Sequence, residues 1–412
     1  MQSIIASRSD RLGGRFRNMC AAWDFASKVG APLVINWPGT GYAKYATQDD
    51  YSFFDLFDET DFQTRSNDVT LSSLSHDMLL EAHKGTDTLL ISGTTGKRRD
   101  FFDSVPGDVI YNSTGRYMFA EDEAGLNKKS IEREIFHSLR LNAAVAACLE
   151  EVSQVCSLTG TVSVHVRRGD IVPLLVNAGL TAVGTKVKNV TSYERTIAKR
   201  TYTFADRYAP VEAYESAIDT LGPNTSVCVF SDDDALKADM KQTYKDRIID
   251  VDAVVSRHDL TSTQIAFVEM LVMSKTDAVV CANSAFSLFA SFIGRCEVVE
   301  VLPFVNVKDL MRDFERYFLQ RDDSAVLLAG LKNAYQKLLA DTLPTKASFI
   351  RTLTTAEHAK RGWDPELAKQ EIEKLRDQLD AEREQVASLR DALAREKERR
   401  ISSRISRLLR TN

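Results

Sequence analysis

The 412-residue chain has no apolar run near the roughly 20 residues that cross a bilayer, which argues against a membrane-spanning protein. Its first residues, MQSIIASRSDRLGG, meet charge too early for a signal peptide and read instead as a first strand, Ser3–Ala6. It lacks a surplus of positive charge: the net charge is −5, which gives no case for nucleic acid as a partner. Cysteine is sparse and scattered. Cys20, Cys148, Cys156, Cys228, Cys281 and Cys296 form no CxxC pair and have no histidine at ligand spacing, so neither a disulfide framework nor a structural zinc site is expected. Several sit in apolar runs such as VCVF and VVCA, as small hydrophobes of a reduced, cytoplasmic protein would.

What the chain does have is alternation. Strand-like runs at Ser3–Ala6, Pro32–Trp37 and Thr88–Ser92 alternate with helical stretches at Arg17–Val29 and Ser130–Val155. The alternation restarts at Thr161, with strands expected at 161–167, 226–231, 247–251, 277–281 and 297–302. Helices are expected between them at 209–221, 233–244, 262–274 and 285–293. Two such βα runs imply an α/β protein with two parallel-sheet domains facing a cleft, residues 1–155 and 156–335. The stretch 171–208 reads as a long loop.

Residues 336–412 differ in kind, as a helical tail. From Pro365, Ala368, Ile372, Leu375, Leu379, Val386, Leu389 and Leu393 follow a 4-3 spacing, with Glu382 and Glu396 at core positions. This is a coiled coil over 365–396, offering a homodimer seam, or a single solvated helix. The basic amphipathic end, 397–412, suits the surface of an anionic membrane, so peripheral contact is expected there.

The richest stretch is Thr161–Val172, TVSVHVRRGDIV. Val162, Val164 and Val166 fall on one strand face, with His165 and Arg167 on the other. The strand ends in two guanidinium groups and a carboxylate, Arg167, Arg168 and Asp170, around Gly169. That suits a phosphate-bearing ligand at a sheet's carboxyl edge, because arginine offers phosphate a planar fork of donors. A buried strand followed by a charged turn is the plainer alternative.

With HVRRGD at His165–Asp170, AAWDFASKVGAPLVINWPG at Ala21–Gly39, IFHSLRL at Ile135–Leu141, FVEMLVMSKTDAVV at Phe267–Val280 and CANSAFSLFASF at Cys281–Phe292, the chain resembles the fucosyltransferase superfamily. That superfamily holds the α-1,2-, α-1,6- and protein O-fucosyltransferases. The first motif is most similar to bacterial α-1,2 enzymes, and the other stretches to the bacterial nodulation α-1,6 type. The resemblance spans roughly residues 3–305 and leaves the tail outside. It implies a GT-B architecture, with a donor-binding carboxyl-terminal domain and an acceptor-side amino-terminal one. It also implies GDP-β-L-fucose as donor, inversion at the anomeric carbon, an oligosaccharide or lipid-linked glycan hydroxyl as acceptor, and no metal or other cofactor. The absence of a DxD-type carboxylate pair accords with this, Asp232-Asp233-Asp234 reading as a helix-starting turn.

Under the resemblance, Arg167 stabilises charge on the departing GDP, and Asp170 either deprotonates the acceptor or orients Arg167. Arg168 is structural or faces the acceptor. His165 contacts the nucleotide or is a core histidine. Glu269 reads guanine through N1–H and N2–H, or forms a buried salt bridge. Asn283, Ser284, Phe286 and Ser287 start a helix whose amides can hold phosphate, though capping alone also explains them. Gly13 and Gly14 would sit in a strand-to-helix turn near donor or acceptor. A transferase for another GDP-sugar, an inactive nucleotide-sugar-binding relative and a coiled-coil scaffold remain as alternatives.

Overall fold

The computed structural model describes residues 3–8, 12–37, 52–65, 69–74, 76–92, 97–113, 129–168, 171 and 206–318, with isolated positions between 328 and 336. The chain divides into compact units 1–341 and 342–412, and both sheets belong to the first. Residues 172–205 of the expected loop 171–208, Gly169, Asp170, the coiled coil and the basic end lie outside the described residues.

The first half runs β1 (Ile4–Ser7), α1 (Leu12–Val29), β2 (Leu33–Asn36), α2 (Glu59–Arg65), β3 (Val69–Ser72), α3 (His76–Ala82), β4 (Leu89–Ile91), α4 (Arg99–Asp103), β5 (Val109–Tyr111), α5 (Lys129–Ser138) and α6 (Ala143–Val155). The second runs β6 (Thr161–Val166), α7 (Val211–Asp219), β7 (Ser226–Ser231), α8 (Asp234–Thr243), α9 (Asp252–Val255), α10 (Ser262–Met273), β8 (Ala278–Cys281), α11 (Ala285–Gly294), β9 (Glu297–Glu300) and α12 (Val307–Phe318). Both sheets are parallel, ordered β3-β2-β1-β5-β4 and β7-β6-β8-β9. The α/β class with two parallel sheets is therefore the observed architecture.

Strand order fixes where a ligand can enter. From β6 the chain steps to β7 on one side and then returns to β8 on the other, so β6 and β8 flank a switch point. At a switch point of this kind, ligands commonly bind in the crevice outside the carboxyl ends of the strands. The first sheet has its own switch point between β1 and β5. There Arg8 donates to the Asn112 carbonyl at 3.3 Å and to its side-chain oxygen at 3.4 Å.

The strand β6 is central in its sheet, which explains why both of its faces are dry. Val162, Val164 and Val166 are buried on one face, and Thr161 and Ser163 on the other. The two halves share a single aromatic core. Phe16 on α1 lies 5.2 Å from Phe267 and 5.5 Å from Phe289, and Phe136 on α5 lies 5.2 Å from Phe289 (ring centroids). Such pairs add about 0.5–1.5 kcal/mol each beyond their buried area. Helix α6 precedes the second sheet but already packs on its side, against α9 and α10.

Three expectations are corrected. Gly13 and Gly14 do not form a turn; they are buried in the first turn of α1, which starts at Leu12 rather than Arg17. The single helix expected over 130–155 is two, because Asn142 caps α6 by accepting the Ala144 N–H at 3.0 Å, while Leu141 bridges to Phe57. The strand expected at 247–251 is a short 3-10 turn, Lys245–Arg247, followed by one bridge from Ile248 to Val227. Arg247 holds that turn by donating to the Thr225 and Gly222 carbonyls at 2.8 and 3.1 Å. The short strands β3 and β5 and the helices α2, α3, α4, α9 and α12 were not expected.

Candidate functional site

The crevice between β6 and β8 gathers most of the residues singled out in the sequence. His165, the fifth residue of β6, is paired in register with Cys281 on β8. Its ring stacks at a tilt on Phe286, 5.2 Å between centroids. Arg167 follows the last strand residue and is half-buried, so it emerges at the carboxyl edge. Ser284 is the residue preceding α11 and has extended backbone angles, as an N-cap should. Its hydroxyl, however, makes no capping bond. The side chain is 1% exposed and Oγ has no hydrogen-bond partner, so the capping explanation does not account for it. A buried hydroxyl without a partner is costly, on the order of 1–3 kcal/mol. Ser287, also buried, donates to the Ser284 carbonyl at 3.4 Å and so braces the cap. Asn283 is exposed; its side-chain amide donates to the Asp206 carboxylate, and its backbone N–H to the Asp206 carbonyl at 2.9 Å.

Gly13 belongs to this site by packing. A Cβ there would come within 2.6 Å of Phe286 Cα and closer still to the Ala285 carbonyl. Glycine is what lets the first turn of α1 press against the first turn of α11. Gly14 lies beside it, buried in the same helical turn.

Glu269 has one carboxylate oxygen held by a lysine. It lies on α10, largely buried, with Lys237 Nζ 3.2 Å from Oε1. Lys237 also reaches Asp252 at 2.8 Å, and Lys241 joins Asp252 to Asp250 at 2.7 and 2.6 Å. Burial pushes the Glu269 carboxyl up to about 7, against the downward pull of Lys237. An acid whose pKa rises on folding stabilises the fold only while protonated. That contribution is full below its ordinary 4.5 and is lost as pH climbs through 7. Lys237 is raised from 10.5 and Asp252 lowered from 3.8, so both titrate outside this window. The melting temperature of the wild type, relative to Glu269→Gln, should therefore fall between pH 4.5 and 7. Calorimetric scans of both proteins across that range check it; a constant difference would show that Glu269 does not titrate there.

The acidic triplet has its uses within the fold. Asp232 accepts the Arg168 backbone N–H at 2.7 Å, and Asp233 caps α8 by accepting the Leu236 N–H at 3.0 Å. Among the described residues no group of three or more His, Cys, Asp or Glu side chains could hold a metal ion. Nor is any described helix long and apolar enough to cross a membrane. All six cysteines are free, and burial pushes the Cys281 and Cys228 thiols up to about 12. Thiols that hard to ionise are poor nucleophiles at neutral pH.

Sequence reasoning left the surroundings of Arg168 unresolved. Its guanidinium is buried, pairs with Asp313 at 3.3 Å and lies 4.4 Å from the Tyr208 ring centre. The sequence placed Tyr208 in the expected loop 171–208 and expected no helix at 307–318, so the pairing of Arg168 with Tyr208 and with Asp313, 145 positions later, was not foreseen.

No family model matches the chain, and no curated protein does. Among solved structures it is similar to the fucosyltransferase NodZ from Bradyrhizobium, at 14% identity over 70% of this chain and 92% of that one, with a TM-score of 0.37. It is similar to a NodZ alpha-1,6-fucosyltransferase soaked with GDP-fucose, at 14% identity over 71% and 92%, with a TM-score of 0.38. It is also similar to POFUT1 in complex with GDP-fucose, at 13% identity over 72% and 96%, with a TM-score of 0.36.

Proposed function

We propose that the chain is an inverting, metal-independent glycosyltransferase that moves L-fucose from GDP-β-L-fucose to a glycan hydroxyl, in α-1,2 or α-1,6 linkage. The observation that carries this reading is the switch-point crevice. His165 and Arg167 leave one strand there, and α11 begins beside them with an unpartnered, buried Ser284 hydroxyl. The positive end of a ten-residue helix, a spare hydroxyl and an adjacent guanidinium together suit a diphosphate. The ordered motifs that resemble the fucosyltransferase superfamily supply the sugar.

In this mechanism the sugar–phosphate bond breaks toward an oxocarbenium-like state. Arg167 and the α11 amides take the charge that develops on the β-phosphate, while the acceptor oxygen attacks the opposite face of the anomeric carbon. Asp170 removes the acceptor proton or steadies Arg167. Phe286 and His165 form one wall, and Glu269 accepts the guanine N1 and N2 hydrogens. The second half, 156–335, holds the donor, and the first, 1–155, receives the acceptor at the β1–β5 edge. A transferase using another GDP-sugar would share every one of these contacts except those to the fucosyl ring.

A donor screen tests this without knowledge of the acceptor. Release of fucose or GDP from GDP-fucose is expected, with calorimetric binding of GDP well above UDP. Equal affinity for the two diphosphates would overturn the guanine assignment. Glu269→Gln should weaken GDP binding by about 1.5–3 kcal/mol, the scale of hydrogen bonds to a charged group. Wild-type affinity should rise with pH through about 7 as the carboxyl ionises, and the glutamine variant's should not.

The tail is assigned self-association through 365–396 and membrane contact through 397–412, which would bring a cytoplasmic enzyme to lipid-linked acceptors. Truncation after Trp363 should yield a monomer that keeps its turnover but no longer sediments with anionic liposomes. An unchanged oligomeric state and unchanged sedimentation would leave the tail as a solvated helix.

A further inference from the structure

We infer that Asp313, on α12, is a positioning residue for sugar transfer, acting through Arg168 on the turn that presents Arg167. The inference rests on the transferase reading above and adds to it an element outside both sheets. Arg168 is gripped from two directions. Its backbone N–H donates to Asp232 at the end of β7 at 2.7 Å, and its guanidinium pairs with Asp313 at 3.3 Å, the two side chains being 7% and 14% exposed. The same Asp313 oxygen accepts the Tyr208 hydroxyl at 2.9 Å, and the Tyr208 ring lies under the guanidinium at 4.4 Å.

These contacts are poorly explained as glue for α12. That helix is already docked by Leu310 and Phe314, both fully buried, with the Phe314 ring 4.9 Å from Tyr208. At its exposed side Arg312 pairs with Glu212 on α7. What Asp313 adds is direction. A buried guanidinium must stay with its counter-charge, so the position of the carboxylate sets where Arg168 can lie. Since Arg167 and Arg168 are consecutive, fixing Arg168 on one side of the chain fixes the line along which Arg167 leaves on the other. A catalytic charge has to be held to within a fraction of an ångström, and a misplacement of about 1 Å commonly costs on the order of 100-fold in rate.

The test uses the full chain with GDP-fucose, reading kcat, donor KM, melting temperature and GDP affinity for Asp313→Asn, Tyr208→Phe, Arg168→Ala and the double variant Arg168→Ala/Asp313→Ala. Asp313→Asn is expected to lose about 10- to 100-fold in kcat per folded molecule, with donor KM and GDP affinity close to wild type. Tyr208→Phe, which removes one hydroxyl and keeps the ring, should lose a few-fold and decides the matter if the Asp313 variants fail to fold. The double variant should be no slower than Arg168→Ala alone, because residues acting on one path are not additive. A lowered melting temperature with kcat unchanged, or a rise confined to KM, would overturn the positioning role. A wild-type chain inert toward GDP-fucose and other GDP-sugars would instead overturn the transferase reading and this role with it.

Discussion

Replacing Arg167 by alanine is expected to lower turnover by about 100-fold or more, and replacing it by lysine nearly as much. Removing one preorganised donor from a developing oxyanion commonly costs this amount, because nothing else in a dry crevice can reorganise in time. Lysine retains the charge, yet it presents a mobile ammonium in place of a rigid planar fork preset to meet two phosphate oxygens side by side. The loss should fall on kcat more than on donor KM, since the charge is greatest in the transition state. Steady-state kinetics with GDP-fucose checks it, with added EDTA as the companion measurement. A lysine variant at full activity, or activity abolished by chelation, would refute the metal-free arginine mechanism.

The second large effect is expected at Gly13. Gly13→Ala introduces a methyl group that meets the backbone of Ala285 and Phe286, not the free end of a flexible side chain. Overpacking of this kind costs about 1–3 kcal/mol, and a backbone obstacle puts the cost at the upper end. Because the obstacle is the first turn of α11, relief comes only by shifting that turn. Thermal melting should show a lower midpoint, and calorimetry should show GDP affinity reduced by about tenfold, the equivalent of 1.4 kcal/mol. A variant that melts and binds like wild type would remove Gly13 from the site.

The sequence made some of this visible and hid the rest for physical reasons. Strand β7 was legible to the residue at 226–231, and β6 to within one, because each is buried on both faces and so leaves a dense apolar run, although β7 is an edge strand. Strand β5 is three residues long and was missed, whereas the equally short β4 was found within the apolar run TLLIS. The break between α5 and α6 depends on Asn142 choosing a cap over continued helix, a choice made by its second bond to the Phe54 carbonyl at 3.0 Å. At the proposed site, His165, Arg167, Ser284 and Phe286 were chosen from local motif; His165 packs on Phe286, and Ser284 precedes the same helix. Gly13 was chosen for a turn that brings backbone close to donor or acceptor, whereas the close approach it makes is to the backbone of α11. The Lys237 partner of Glu269 and the Asp313 partner of Arg168 lie 32 and 145 residues away, and separations of that kind leave no trace in a single chain's periodicity.

Helix α11 is held at both ends by the first half of the chain. Its start abuts Gly13, and its last carbonyls, on Phe292 and Ile293, accept Arg133 Nε at 2.9 Å and His137 Nε2 at 3.0 Å from α5. The two halves are consequently not interchangeable parts. A chimera that joined this second half to the first half of another two-sheet protein at residues 156–160 would strand both ends of α11, however well its linker were built. Any exchange of the first half therefore has to keep α1 and α5 as native.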